Sequence, residues 1–162
     1  MAIIISQPNI HIGSLLGGGI VFYIYPSGKH GLICTTMDIP IGVGYATWGC
    51  DGTTIGTSTA IGTGQANTTL IVTGCDTVGI AARLCNDLVL NNYTDWYLPS
   101  KDELDQMYKN LYLNSIGGFV ASYYWSSSEY SAPGAWYQDF SNGYQYGFGK
   151  NYGFYVRAVR SF

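Results

Sequence analysis

Charge is scarce in this chain. Ten acidic and seven basic residues among 162 make 10% of the total, where about 25% is usual. The balance is acidic, with a net charge of −3 and a pI near 5.0, so a phosphate backbone is repelled and nucleic acid is excluded as a partner. Histidine is limited to His11 and His30, and the four cysteines (Cys34, Cys50, Cys75, Cys85) follow neither a CxxC nor a His-paired spacing. That argues against a metal site. No apolar run approaches the roughly 18–20 residues of a membrane span: Ile3 to Ile5 is followed at once by Ser6, Gln7 and Pro8. Neither membrane insertion nor a secretory signal is expected. If Met1 is the true start, the protein is made in a cytoplasm and leaves it, if at all, by another route, such as release inside an assembled virion.

Catalytic patterns are equally thin. The stretch Gly62 to Asn67 breaks the GxGxxG rule at its last position, and GxxxxGK[ST] does not occur. His30 sits in a glycine-flanked turn with no GxSxG elbow to supply a nucleophile. Asp102, Glu103 and Asp105 cluster in the first turn of an expected helix, where the helix dipole already accounts for carboxylates. No catalytic residue and no cofactor is expected. Arg157 and Arg160 are read as structural: one pairs with a carboxylate such as Asp95 or Glu103, and the other faces solvent.

What is present is hydrophobic, glycine-rich and aromatic: 47% hydrophobic residues, 22 glycines and 15 tyrosines. This excludes a disordered chain and fits one domain. Residues 1–15 read as an N-terminal arm or docking segment, and residues 16–162 as the domain. Ile20 to Tyr25 and Leu32 to Thr36 form an expected hairpin about the turn at Pro26 to Gly28. Gly42 to Gly64 reads as a surface loop, Gln65 to Val72 as a short helix and Ile80 to Leu90 as a longer one, since Ile80, Leu84 and Leu88 make an apolar stripe. Asp95 to Leu98 reads as a strand stopped by Pro99. Ser100 and Glu103 then match a capping box, and Leu104, Met107, Tyr108 and Leu111 are placed inward on the helix that follows. Beyond Gly117 the pattern is β: Tyr123 to Ser127, Ala135 to Phe140, Tyr144 to Phe148 and Phe154 to Val159, with Asn142 and Gly143 predicting a type I′ turn. The fold class is therefore α+β, with two or three short helices packed on antiparallel sheet and a C-terminal β-meander. Cys50 and Cys75 could close the Gly/Thr-rich stretch between them as a disulfide in an oxidising setting; a cytoplasmic origin favours buried reduced thiols.

The segment Tyr123 to Tyr155 holds eight of the tyrosines together with Trp125, Trp136, Phe140, Phe148 and Phe154. Trp125, Trp136 and Phe140 are assigned to the core. Tyr130, Tyr137, Tyr144, Tyr146, Phe148 and Tyr152 are interleaved with Gly, Ser, Asn and Gln, a vocabulary that suits a recognition surface, because Tyr offers a large amphipathic contact at low entropic cost.

Seven segments then occur in a telling order: Gly18 to Phe22 (GGIVF), Gly64 to Thr68 (GQANT), Asp95 to Leu104 (DWYLPSKDEL), Tyr124 to Ser128 (YWSSS), Ala135 with Trp136, Phe140 to Gly143 (FSNG) and Val156 to Arg160 (VRAVR). Over residues 12–162 the chain resembles the Lcl domain family, the C-terminal domain of bacterial collagen-like adhesins, found also in phage and surface proteins. The resemblance implies a C-type-lectin-like fold and attachment to a host cell-surface glycan or protein. It also implies a homo-oligomer, commonly a trimer. The sequence departs from calcium-dependent lectins, since its nearest relative of a Glu-Pro-Asn or Gln-Pro-Asp triplet, Gln7-Pro8-Asn9, lies in the arm and not beside a binding strand, and no calcium is expected. Some members are similar to the variable proteins of diversity-generating retroelements. Trp125, Trp136, Val156 and Arg157 fall on framework positions, while Tyr130, Ala132, Pro133, Tyr137, Asp139, Tyr144, Tyr146, Phe148, Asn151 and Tyr152 fall where varied positions would be. The expected ligand-binding set is Tyr130, Pro133, Tyr137, Asp139, Tyr144, Tyr146, Phe148, Asn151 and Tyr152. The expected setting is the surface of a phage particle, with other virion subunits held through residues 1–15. The alternatives are a bacterial cell surface as the setting and a particle-stabilising capsid or tail protein as the role.

Overall fold

The computed structural model describes residues 9–39 and 44–162. Its first sheet runs β1 (Leu15–Leu16), β2 (Gly19–Ile24), β3 (Gly31–Cys34) and β9 (Val159–Ser161), all antiparallel. The expected hairpin is β2 and β3, turned at Gly28, whose φ of +69° is one that glycine adopts freely. Residues 9–16 lie back along β2: Gly13 N–H donates to Val21 O at 2.8 Å, and Ile12 and Leu16 pack on the core. Residues 1–8 of the expected arm fall outside the described residues.

Three short helices follow among the described residues: α1 (Gly64–Gly74), α2 (Ala81–Asn86) and α3 (Lys101–Asn110). The apolar stripe of residues 80–90 overstates α2. The helix stops after six residues, and Asn91 and Asn92, at φ +52° and +64°, turn the chain so that Leu90 bridges Tyr93. Asparagine tolerates that left-handed backbone; the helix has already ended before it, where Leu88 N–H turns to Cys85 O three residues back. The capping box of α3 is present in full, with Ser100 accepting from Glu103 N–H and Glu103 accepting from Ser100 N–H. Leu104, Met107 and Leu111 are buried. Tyr108 is only half-buried, stacked on Tyr112 at 5.4 Å. Asp95 to Leu98 makes a single bridge, Tyr97 to Val159, and no ladder.

The meander is β5 (Tyr123–Ser131), β6 (Gly134–Asp139) and β7 (Gln145–Gly149) in that spatial order. Its second turn is not type I′. Asn142 keeps a negative φ, and only Gly143 is left-handed at +82°. The Asp139 carboxylate accepts from Ser141 N–H at 2.8 Å and from Asn142 Nδ2 at 2.9 Å, and Gly143 N–H donates to Asp139 O. A side chain that bonds its own turn favours a longer loop with one αL residue over a two-residue primed turn. The expected strand Phe154 to Val159 is divided. β8 (Gly153–Phe154) pairs with β4 (Ala46–Thr47), whereas β9 pairs with β3.

Four further readings are corrected. Cys50 and Cys75 form a disulfide, Cα atoms 5.8 Å apart, while Cys34 and Cys85 are buried thiols. The Gly/Thr-rich stretch is mostly loop, yet Trp48 within it is wholly buried and donates to Ser126 O at 2.9 Å. Trp136 is half-buried rather than core, with Lys101 Nζ 4.5 Å from its ring. Neither arginine faces solvent. Arg160 pairs with Asp95 at 2.7 Å, and Arg157 is buried against Asp38 at 2.7 Å with Phe119 beneath its guanidinium.

Candidate functional site

The segments that carry the resemblance are mostly joints of the frame. Asn67 and Thr68, on the first turns of α1, reach across to neighbouring loops. Asn67 Oδ1 accepts from Ser58 N–H and its Nδ2 donates to Ser58 O, while Thr68 Oγ1 accepts from Leu98 N–H. Buried Glu103 accepts from Ser100 N–H at 2.7 Å and from Gly62 N–H at 2.8 Å, so one carboxylate ties the start of α3 to the loop that enters α1. A Cβ at Gly64 would lie 2.3 Å from Glu103 Oε2, which leaves glycine alone able to fit there. Burial pushes the Glu103 carboxyl up despite these donors. Its oxygens are engaged in holding backbone.

The aromatic residues lie elsewhere, on the meander. Alternation along β7 sends Tyr146 and Phe148 to one face and Gln145, Gly147 and Gly149 to the other. Tyr137 of β6 stands opposite Tyr146 in the ladder and Trp125 of β5 opposite Tyr137, so a row of rings runs from the core to the sheet edge. Around it the rings are contiguous. Tyr144 meets Tyr146 at 6.1 Å between centroids, Tyr146 meets Tyr137 at 5.9 Å, and Tyr137 meets Phe148 at 6.0 Å. Phe148 in turn meets Tyr152 at 4.7 Å. Spacings of 4.5–7 Å are those of attractive ring pairs. Trp125 and Phe154, 4.3 Å apart, floor this layer. Tyr144 is 64% exposed and Phe148 42%; Tyr146 and Tyr152 lie between them, while Tyr137 is half-buried. Burial, with Tyr123 and Asp139 nearby, raises the Tyr137 hydroxyl above its ordinary value, leaving it a neutral donor at pH 7.

The nine expected ligand residues do not form one site. Tyr137, Tyr144, Tyr146, Phe148 and Tyr152 are brought together. Tyr130 belongs to the other face, edge-on to Trp136 at 5.0 Å, with its ring over Gly147. With Ser131, Pro133, Gly134, Gly147, Phe148 and Gly149 it lines a shallow cleft of about 300 Å³. Asn151 is exposed in the turn after β7. Asp139 is 8% exposed, its carboxylate taken up by its own turn. Sequence reasoning missed Tyr123, which is exposed, stands 5.2 Å from both Tyr137 and Phe154 and extends the ring layer. Its signal was its place across the ladder from Asp139.

Such a surface offers flat apolar area with hydroxyl tips and no reacting group. Among the described residues, no three His, Cys, Asp or Glu side chains are placed to hold a metal ion, and no helix is long and apolar enough to cross a membrane. No curated protein matches the chain. The model of the Lcl C-terminal domain matches residues 47–160, which takes in α1 to α3, the whole meander and most of β9. By that match over more than two thirds of its length, the chain belongs to the Lcl C-terminal domain family.

Proposed function

We infer that the protein is a non-catalytic ligand-binding module of the adhesin type. In this reading it is carried on a phage particle, and the ring layer of Tyr137, Tyr144, Tyr146, Phe148 and Tyr152 holds a glycan or protein of the host surface. One observation carries the reading: a chain of five rings in successive contact about β7, four of them exposed and Tyr137 half-buried between them, where full burial would have served stability better. Family membership supports it, since it points to an adhesin-like or surface module. The C-type-lectin-like fold belongs to the same reading, supported by the mixture of short helices and antiparallel sheets. Tyr130 and Pro133 form a second contact region at the adjoining cleft, whose lining includes Phe148 of the ring layer. In this reading the N-terminal segment leads to the carrier, its residues 9–15 resting on the domain itself, and several copies turn weak single contacts into avid binding. Neither metal nor cofactor takes part.

Changing Tyr137, Tyr144 and Tyr146 together to Ser tests this. Loss of adsorption to host cells with an unchanged far-ultraviolet circular dichroism spectrum is expected; full adsorption by the triple variant overturns the reading. The same reading takes the rings as positions that a retroelement would vary, for which a near-copy of the 3′ coding segment close to the gene, differing at those codons, is the expected trace. The open edge of β7 favours a second reading, in which the face packs on a neighbouring subunit and stabilises a particle. Deletion of the gene separates the two: particles that stay intact but fail to adsorb support attachment, whereas particles that fall apart support the scaffold.

A further inference from the structure

The outer edge of β7 is open. Asp139 N–H donates to Tyr144 O at 2.9 Å and Lys150 N–H donates to Pro133 O at 2.9 Å, which fixes the phase of the β6–β7 ladder. In that phase Tyr146 and Phe148 turn their backbone groups inward to β6, and Gln145, Gly147 and Gly149 turn theirs outward. Among the described residues no backbone partner meets the N–H or C=O of Gln145 or Gly147, or the N–H of Gly149; only Gly149 O accepts, from Tyr152 N–H at 3.1 Å. The opposite edge of the meander is covered, since Trp125 N–H donates to Tyr155 O, Tyr155 N–H to Tyr123 O and Ser127 N–H to Pro99 O. β7 also lacks the usual protections of an edge. It has no Lys, no Pro and no bulge, and its pairing with β6 is unbroken over five residues.

The sequence of this edge is self-complementary. A two-fold axis through Gly147 sets it antiparallel to a second copy, with Gly147 facing Gly147, Gln145 facing Gly149, and Tyr146 facing Phe148 of the other copy. The residues whose backbone groups point outward then pair with one another. Each aromatic residue meets an aromatic residue directly across, a favourable cross-strand pairing, and on the opposite face the Tyr130 ring of each copy lies over its own Gly147. We propose that a second copy of this chain pairs along β7 about Gly147, joining two meanders into one continuous sheet whose ring layers run together. The isologous form closes on itself as a dimer. The pairing stands on the backbone phase of β7, and neither needs nor presumes a ligand for the rings.

The test compares two double variants with the full wild-type chain by sedimentation velocity over a concentration series, with amide hydrogen exchange read at Gln145, Gly147 and Gly149. Y146K with F148K places lysine across from lysine at both symmetry-related positions. Y146K with F148E removes the same two rings but places lysine across from glutamate. Wild type is expected to dimerise as concentration rises, with protection at Gly147 and Gly149 appearing in step. The lysine–lysine chain is expected to associate about tenfold more weakly, and the lysine–glutamate chain to recover. Both variants lose the same aromatic contacts, so weakened host adsorption in both bears on the attachment reading and leaves the pairing untouched. A monomer at every concentration overturns the pairing, as does a trimer as the sole larger species, equal association by the two variants, or protection of Gly147 that an added extended peptide supplies while the protein stays monomeric.

Discussion

Lys150 reaches from the end of β7 to Glu129 on β5, Nζ to Oε1 at 2.7 Å, with the lysine side chain wholly shielded from water. Its ammonium also donates to Thr53 O at 2.7 Å and lies 4.6 Å from the Trp48 ring centre, while Glu129 accepts from the N–H groups of Ile55 and Gly56. One ion pair therefore pins the loop after Cys50 beneath the strand ends that carry Tyr130 and Phe148.

Removing one partner leaves the other charge buried and unpaired. Lys150→Met is expected to destabilise the fold by about 3–5 kcal/mol, read as a lower urea midpoint. Tyr152 and Phe148, which flank Lys150 in sequence, lose their fixed places with it, so weakened binding accompanies the lost stability.

The disulfide closes the same loop. A bond between residues separated by 25 positions is worth about 3–4 kcal/mol in the chain-entropy account, and C50S with C75S is expected to lose that much. Thiol counting on the unreduced, native protein is expected to find no reactive group: Cys34 and Cys85 are enclosed, and burial pushes the Cys34 thiol up to about 12. Denaturation without reductant exposes two thiols, and reductant brings the count to four.

The pH dependence has two opposed parts. The hydrogen bond from Arg160 holds the Asp95 carboxyl below its ordinary 3.8, and donors from Lys150, Gly56 and Ile55 overcome burial to hold Glu129 below 4.5. Unfolded chains bind these protons first, so the stability from both groups is present above about pH 4–5 and is lost as pH falls through their lower folded values. Glu103 is raised above 4.5 by burial, so its folded form binds the proton more readily, and stability falls as pH rises from 4.5 through its folded value. Urea midpoints against pH are expected to flatten below pH 4 in Asp95→Asn and just above pH 4.5 in Glu103→Gln. The second variant is also less stable throughout, by about 1–3 kcal/mol, since an amide cannot accept from every N–H that faces it.

The ring layer behaves differently from the joints. Tyr146→Ala or Phe148→Ala removes a part-exposed side chain from an edge strand and is expected to change stability by less than about 1 kcal/mol. Binding to host cells is expected to weaken tenfold or more for at least one of them, as happens where aromatic anchors dominate an interface. Equal affinity for both variants and wild type would remove these rings from the contact surface.

Much of the fold was legible in the chain. The hairpin around Gly28, the capping box at Ser100 and the meander strands each announce themselves through local rules, which act over a few residues. What escaped depends on distant partners. Trp48 sits in a stretch of Gly and Thr and is buried only because β5 presents the Ser126 carbonyl to it. Arg157 is drawn inside by Asp38, 119 residues away. Asn142 and Gly143 suggested the commonest tight turn, yet the Asp139 side chain, three residues back, selected another. For the ring layer, composition picked out tyrosines that the fold brings into contact, but it could not sort faces. Parity alone placed Tyr146 with Phe148, while Tyr130 crossed to the far side because Gly147 leaves room for its ring.

Glu103, Asn67, Thr68 and Arg157 fasten helices and loops to one another without touching the outer rings of β7. The joints of the frame and the exposed rings are thus carried by different residues, even where they interleave, as Lys150 does between Phe148 and Tyr152. A combinatorial library at positions 144, 146, 148 and 152 should yield chiefly soluble, well-folded clones, which makes this frame a starting point for selecting synthetic affinity reagents.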